Sequence, residues 1–95
     1  MDADAYHRKL RFRASHRGTR EADAMVGGFF EAYHSTWNAE QFAWFERLLE
    51  EQDVDIMAWA FGTALPPTVF QGSMIDLLKR LDFIVLPEGL KKKYQ

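Results

Sequence analysis

An all-α domain, a compact five-helix bundle with short loops and a partly extended C-terminal tail, is predicted for this 95-residue chain from three observations. Apolar residues recur at helical spacing in five successive segments. Gly, Pro or capping residues separate those segments, and apolar and polar residues alternate only in the short Leu10-Arg11-Phe12-Arg13 run. The composition supplies material for one core: 47% of residues are apolar and 15% aromatic, with eight Phe, three Trp and three Tyr. A chain of this length buries only about 60–65% of its unfolded surface, so large side chains must carry the burial. A single domain over residues 1–90 is expected, followed by a frayed basic tail at 91–95.

The first helix is expected over about residues 2–15, with Tyr6, Leu10 and Ala14 on one face and Lys9, Arg13 and Arg17 on another. Gly18 ends it as a residue able to take positive φ, and Thr19 offers a hydroxyl cap for the next helix. In that second helix, about 20–34, Ala22, Met25, Val26, Phe29, Phe30 and Tyr33 make a broad apolar stripe, which marks it as the core helix. Gly27 and Gly28 each cost about 1 kcal/mol relative to Ala inside a helix, which points to a close neighbouring helix or to local bending. Asn38 and Gln41 have capping-box spacing at the start of the third helix, and Trp37 before the cap can staple onto Phe42. Phe42, Phe45 and Leu49 then line one face, with Leu48 beside them. Glu50-Glu51-Gln52 closes this helix. Asp53 is expected to cap a short fourth helix in which Asp55 suits the dipole, Ile56, Met57 and Ala60 face inward, and Trp59 lies half-exposed off that face. Gly62 ends it. Pro66-Pro67 precedes a fifth helix of about 68–82 carrying Phe70, Met74, Leu77, Leu78 and Leu81, and Phe83-Ile84-Val85-Leu86 before Pro87 reads as a tail partly packed on the bundle.

Several kinds of chemistry drop out. Without Cys there is no disulfide, thiolate metal site or cysteine nucleophile. His7, His16 and His34 lack the spacing at which two imidazoles on one helix ligate a metal, and Glu50, Glu51, Asp53 and Asp55 fit helix ends better than a calcium loop. Ser15, Ser35 and Ser73 have no nucleophile-elbow or lysine-partner context, and Gly27-Gly28 lies inside a helix rather than in a phosphate-cradling loop. No catalytic or metal-binding residue is therefore expected. The uncharged stretch that begins at Ile56 is interrupted by Gly62, Pro66 and Pro67, so no membrane insertion is expected. Asp2 and Asp4 precede any basic residue and no apolar signal region follows, giving a cytoplasmic reading.

Charge is unevenly distributed. Residues 1–20 hold six Lys/Arg against two Asp, a net +4, and residues 21–60 hold one Arg against nine acids, a net −8. Such asymmetry steers encounters with a partner, and Arg8, Arg11 and Arg13 on the first helix are the candidate steering charges. A nucleic-acid-binding module is the rival reading of this basic segment; the acidic middle counts against it, and no nucleic acid is expected.

The most suggestive segment is Arg17-Gly18-Thr19-Arg20-Glu21, where a Gly turn permits close backbone approach and flanking charges can point outward. A bland reading competes with it, in which Glu21 serves the helix dipole and pairs with Arg17 or Arg20. Arg-Gly-x-x-Glu, followed by Phe29-Phe30, Phe45-x-x-Leu48-Leu49, Asp53-x-Asp55, Trp59 and Pro66-Pro67, resembles in order and spacing the SdhE family of bacterial FAD assembly factors and their eukaryotic relatives, succinate dehydrogenase assembly factor 2. The match covers about residues 6–82. It departs from the family pattern at His16, Ala22 and Val54, where Arg, Leu and Pro are frequent. The resemblance implies a bacterial, non-catalytic assembly factor that binds the flavoprotein subunit of succinate dehydrogenase, with fumarate reductase as a second target, and promotes covalent attachment of FAD to a histidine of that subunit. It also implies a docking surface at Arg17, Gly18 and Glu21. FAD ends on the partner, no flavin is expected to be held stably by this chain, and a monomer is expected. Members resembling this chain have also carried an antitoxin label, which makes toxin neutralisation a further alternative.

Overall fold

Each amphipathic stripe folds as a helix because it has one apolar face to bury, and the burial converges on the stripe of the second. The computed structural model describes residues 3–84. In order these form α1 (Ala3–Ser15), α2 (Arg20–Tyr33), a 3-10 turn at His34–Thr36, α3 (Ala39–Leu48), α4 (Asp53–Phe61), a second 3-10 turn at Thr68–Phe70, and α5 (Ser73–Lys79). No strand occurs among the described residues. Ala22, Met25, Val26, Phe29 and Phe30 of α2 are all buried, and Leu10 and Ala14 of α1 are buried with them.

The paired glycines of α2 are explained by close approach. A Cβ on Gly27 would lie 3.3 Å from the Ser15 Cα and 3.4 Å from the Ala14 carbonyl oxygen, so a side chain there would push the backbone of α1 away by a few tenths of an ångström. At Gly28 the neighbour is the chain beyond α5, with the Phe83 carbonyl oxygen 3.1 Å from a Cβ position. The start of α3 follows the sequence closely. Asn38 Oδ1 accepts from the Gln41 amide at 2.9 Å while Gln41 Oε1 accepts from the Asn38 amide at 2.7 Å. The Trp37 and Phe42 rings meet edge to face at 5.4 Å, fixing the direction of entry. Phe29 then sits among Trp37, Phe45 and Phe83 at centroid distances of 5.4, 6.1 and 5.4 Å.

The fifth helix is shorter than its periodicity predicts. Thr68–Phe70 forms a 3-10 turn, Gly72 takes φ 133°, and α5 ends before Leu81, itself at φ 56°. Side chains hold the break: Trp44 Nε1 donates to the Phe70 carbonyl at 3.3 Å and Gln71 Nε2 to that of Pro66 at 2.9 Å. The restart buries Ile75, which the continuous stripe did not include. It also corrects the expectation for Trp59. The turn brings the Phe70 ring to 5.3 Å from the indole, so Trp59 is buried rather than half-exposed, while Met57, expected to face inward, is only partly buried. Phe83 and Ile84 pack partly against the core, as the start of an extended tail should. The rest of that tail, with its basic end at 91–95, lies outside the described residues.

Phe29→Ala should cost about 3–5 kcal/mol of unfolding free energy in a urea titration, because the surrounding rings cannot close the cavity. Stability should also fall at alkaline pH. Burial, reinforced by Glu46, whose Oε2 accepts from the Tyr6 hydroxyl at 3.3 Å, raises the Tyr6 pKa from its ordinary 10.0. A raised folded-state pKa gives stability that is present below about pH 10 and lost as pH climbs through the folded value. Tyr6→Phe is expected to make the urea midpoint less sensitive to pH in that range.

Candidate functional site: a braced corner between the first two helices

The connection between α1 and α2 is sharp because its residues leave the helical region in turn. Ser15 Oγ donates to the Arg11 carbonyl at 2.8 Å in the last turn of α1. Gly18 follows at φ 114°, and nothing lies within 4 Å of where its Cβ would stand, so the backbone there faces open space. Thr19 is extended at φ −131°, and its hydroxyl accepts from the Ala22 amide at 3.1 Å, capping α2 as its sequence predicts. The Arg17 amide donates to the Asp23 carboxylate, tying the exit of α1 to the first turn of α2.

The Arg17 side chain turns inward, although an outward charge was expected at this corner. Its Nε meets Asp53 Oδ1 at 2.7 Å, Nη1 donates to the Leu49 carbonyl at 2.8 Å, and Nη2 to the Glu51 carbonyl at 2.7 Å. Only 11% of the side chain is exposed. Leu49 caps the C-terminal end of α3, so the guanidinium satisfies orphan carbonyls there and places a cation at the negative end of the helix dipole. Asp53 is consequently not the cap of α4. Gln52 holds that position without a side-chain bond, while Asp53 sits in the first turn with its carboxylate committed to Arg17.

The other predicted site residues divide into two sets. Arg20 and Glu21 are exposed, and neither joins an ion pair among the described residues, so the pairing of the bland reading is not formed. Arg8 is likewise exposed and outside those pairs. Arg11 instead pairs with Glu31 on α2, and Arg13 pairs with Glu50 at 2.7 Å. Part of the basic segment thus finds its opposite charge in the acidic middle of the same chain. The arrangement leaves Arg8 as the unpaired member of the three steering candidates.

An open apolar hollow adjoins the corner, lined by Thr19, Asp53, Val54, Met57, Ala58, Phe61 and Thr63. Val54 is 69% exposed and Phe61 50%, although both are large and apolar. The sequence reading did not single out this surface. Its signal was present: Val54, Ala58 and Phe61 repeat at helical spacing opposite Ile56 and Ala60, which makes α4 apolar on two faces. Among the described residues, no group of three or more His, Cys, Asp or Glu side chains can hold a metal ion. No helix there is long and apolar enough to cross a membrane.

A small helical domain that presents two free charges on a braced turn, next to exposed apolar side chains, has the character of a factor that works through contact with another macromolecule. The chain belongs to the family described as flavinator of succinate dehydrogenase, whose model matches residues 8–82. It is 47% identical over 58 residues to the FAD assembly factor SdhE of Acetobacter pasteurianus, covering 61% of this chain and 53% of that one. Against the FAD assembly factor SdhE of Acinetobacter baylyi it is 32% identical over 72 residues, covering 76% and 84%. The mitochondrial succinate dehydrogenase assembly factor 2 of Danio rerio is 32% identical over 78 residues, covering 80% of this chain and 49% of that protein. The chain therefore spans about half the length of several curated relatives it matches. These are the names of assembly factors, not of catalysts.

Within the corner, stability and surface should separate. Thr19→Ala removes the cap and should cost about 1 kcal/mol in chemical denaturation. Glu21→Ala removes an exposed charge without an ion pair and should cost under about 1 kcal/mol, the loss of a favourable helix-dipole contact.

Proposed function

We propose that this chain docks on the flavoprotein subunit of succinate dehydrogenase through the corner at residues 17–21 and promotes covalent attachment of FAD to that subunit. Fumarate reductase is the second target in this reading. The observation that carries this reading is the exposed Gly18–Glu21 edge. Gly18 leaves the backbone open to close approach, and Glu21 stands free to accept directed hydrogen bonds. Both lie inside the segment matched by the family.

The chain contributes positioning rather than bond chemistry. Holding a mobile part of the flavoprotein fixes the flavin and its acceptor histidine in reactive geometry, which lowers the barrier by removing orientational freedom. FAD belongs to the partner in this reading. Arg8, Arg11 and Arg13 act at longer range, with Arg8 the strongest because Arg11 and Arg13 are already paired with acids. The same pairing disfavours the nucleic-acid alternative, which needs a free basic face. The factor acts in the cytoplasm as a monomer.

The test is covalent flavin on the flavoprotein subunit, read as in-gel fluorescence from cells lacking this chain and complemented with wild type, Glu21→Ala or Gly18→Arg. Fluorescence should return with wild type and stay low with both variants. Full fluorescence in the uncomplemented cells would overturn the proposal, as would rescue by both variants.

A further inference from the structure

We infer that Arg17 serves docking indirectly, as the positioning residue of the corner, and that Asp53 is its functional partner. The inference rests on the docking role proposed for the corner and divides it into a contact edge and a brace. All three guanidinium nitrogens of Arg17 are engaged inside the chain, with Asp53, Leu49 and Glu51 at sequence separations of 36, 32 and 34. A side chain committed in this way, and only 11% exposed, has little left to offer a partner. Glu21, four positions on, is free.

Two ties flank the turn. The Arg17 amide holds the first turn of α2 through Asp23, and the Arg17 guanidinium holds the end of α3 and the start of α4. Gly18 lies just beyond both ties at φ 114°, with nothing packed where its Cβ would stand, so its own side of the turn supplies no restraint. A glycine without restraint samples a wide range of backbone conformations. The brace removes that freedom and sets the direction in which Glu21 projects. Apparent affinity falls in proportion to the fraction of molecules with the competent turn, so a corner correctly formed one-tenth of the time binds about tenfold more weakly. Lys cannot replace Arg here, because one ammonium is a point charge and does not reproduce a planar fork reaching three acceptors.

The experiment compares wild type with Asp53→Ala, Arg17→Lys and Glu21→Ala, and uses Asp55→Ala as a control in the same turn of α4. Two quantities are read: affinity for the purified flavoprotein subunit, and amide hydrogen exchange at Arg17, Ala22 and Asp23 against Phe29 and Phe30 in the core. Asp53→Ala and Arg17→Lys should each lose about tenfold or more in affinity, with faster exchange at the corner and unchanged exchange in the core. Glu21→Ala should lose affinity with unchanged exchange, and Asp55→Ala should resemble wild type in both. Wild-type affinity for Asp53→Ala would overturn the inference. So would lost affinity with unchanged corner exchange, since Asp53 would then touch the partner itself, or lost affinity with faster exchange throughout the core, since the residue would then hold up the whole fold. The exchange arm needs no flavoprotein. If wild type failed to bind the subunit, the docking proposal would fall, while the exchange data would still decide whether Arg17 and Asp53 brace the corner.

Discussion

Phe29 and Phe30 must both be buried by a chain with material for a single core, and the placement of the other elements follows from that demand. α1 can cover one side of them only by crossing α2 at Gly27, where its backbone comes as close as a missing Cβ allows. Trp37, Phe45 and Phe83 surround the Phe29 ring from the entry to α3, from α3 itself and from the chain after α5. α1, the entry to α3, α3 itself and the chain after α5 therefore answer directly to two adjacent side chains. α4 packs on the turn before α5 through Trp59 and Phe70.

Electrostatics then connects this core to its surface. The acidic middle of the chain lies against the basic first helix, and three of the four ion pairs among the described residues join an arginine of residues 11–17 to an acid of residues 31–53. The outer two are exposed, and pairs of that kind contribute about 0–1 kcal/mol each. Arg17 with Asp53 is different in character. It is largely shielded and supplemented by two carbonyls that the end of α3 would otherwise leave without partners. It fixes geometry where the other pairs mainly balance charge.

Much of this architecture was legible in the sequence. The stripe of α2, the capping box at Asn38 and Gln41, the Thr19 cap and the Gly62 terminus depend on neighbours within a few residues, and all appear as read. The failures share a cause. Asp53 has the composition of a cap but answers to an arginine in another helix, Trp59 is buried by a ring arriving from a turn, and the fifth helix is broken by side-chain bonds to the Phe70 and Pro66 carbonyls. Each depends on a contact that spacing along one helix does not encode. The candidate site shows the same division: Gly18 and Glu21 are exposed on the turn where the local pattern puts them, whereas the inward direction of Arg17 is set by residues more than thirty positions away.

That separation along the chain also orders events during synthesis. Residues 17–21 leave the ribosome early, yet the groups that hold the turn belong to Leu49, Glu51 and Asp53. Until the chain has been made through α4, the turn has only the local bonds to Asp23 and Thr19, while Gly18 remains free to rotate. The first residues of the corner to be translated are thus among the last to acquire their final shape. A nascent chain carries the motif without its geometry, and a truncated product ending before residue 49 would lack all three of the guanidinium's partners.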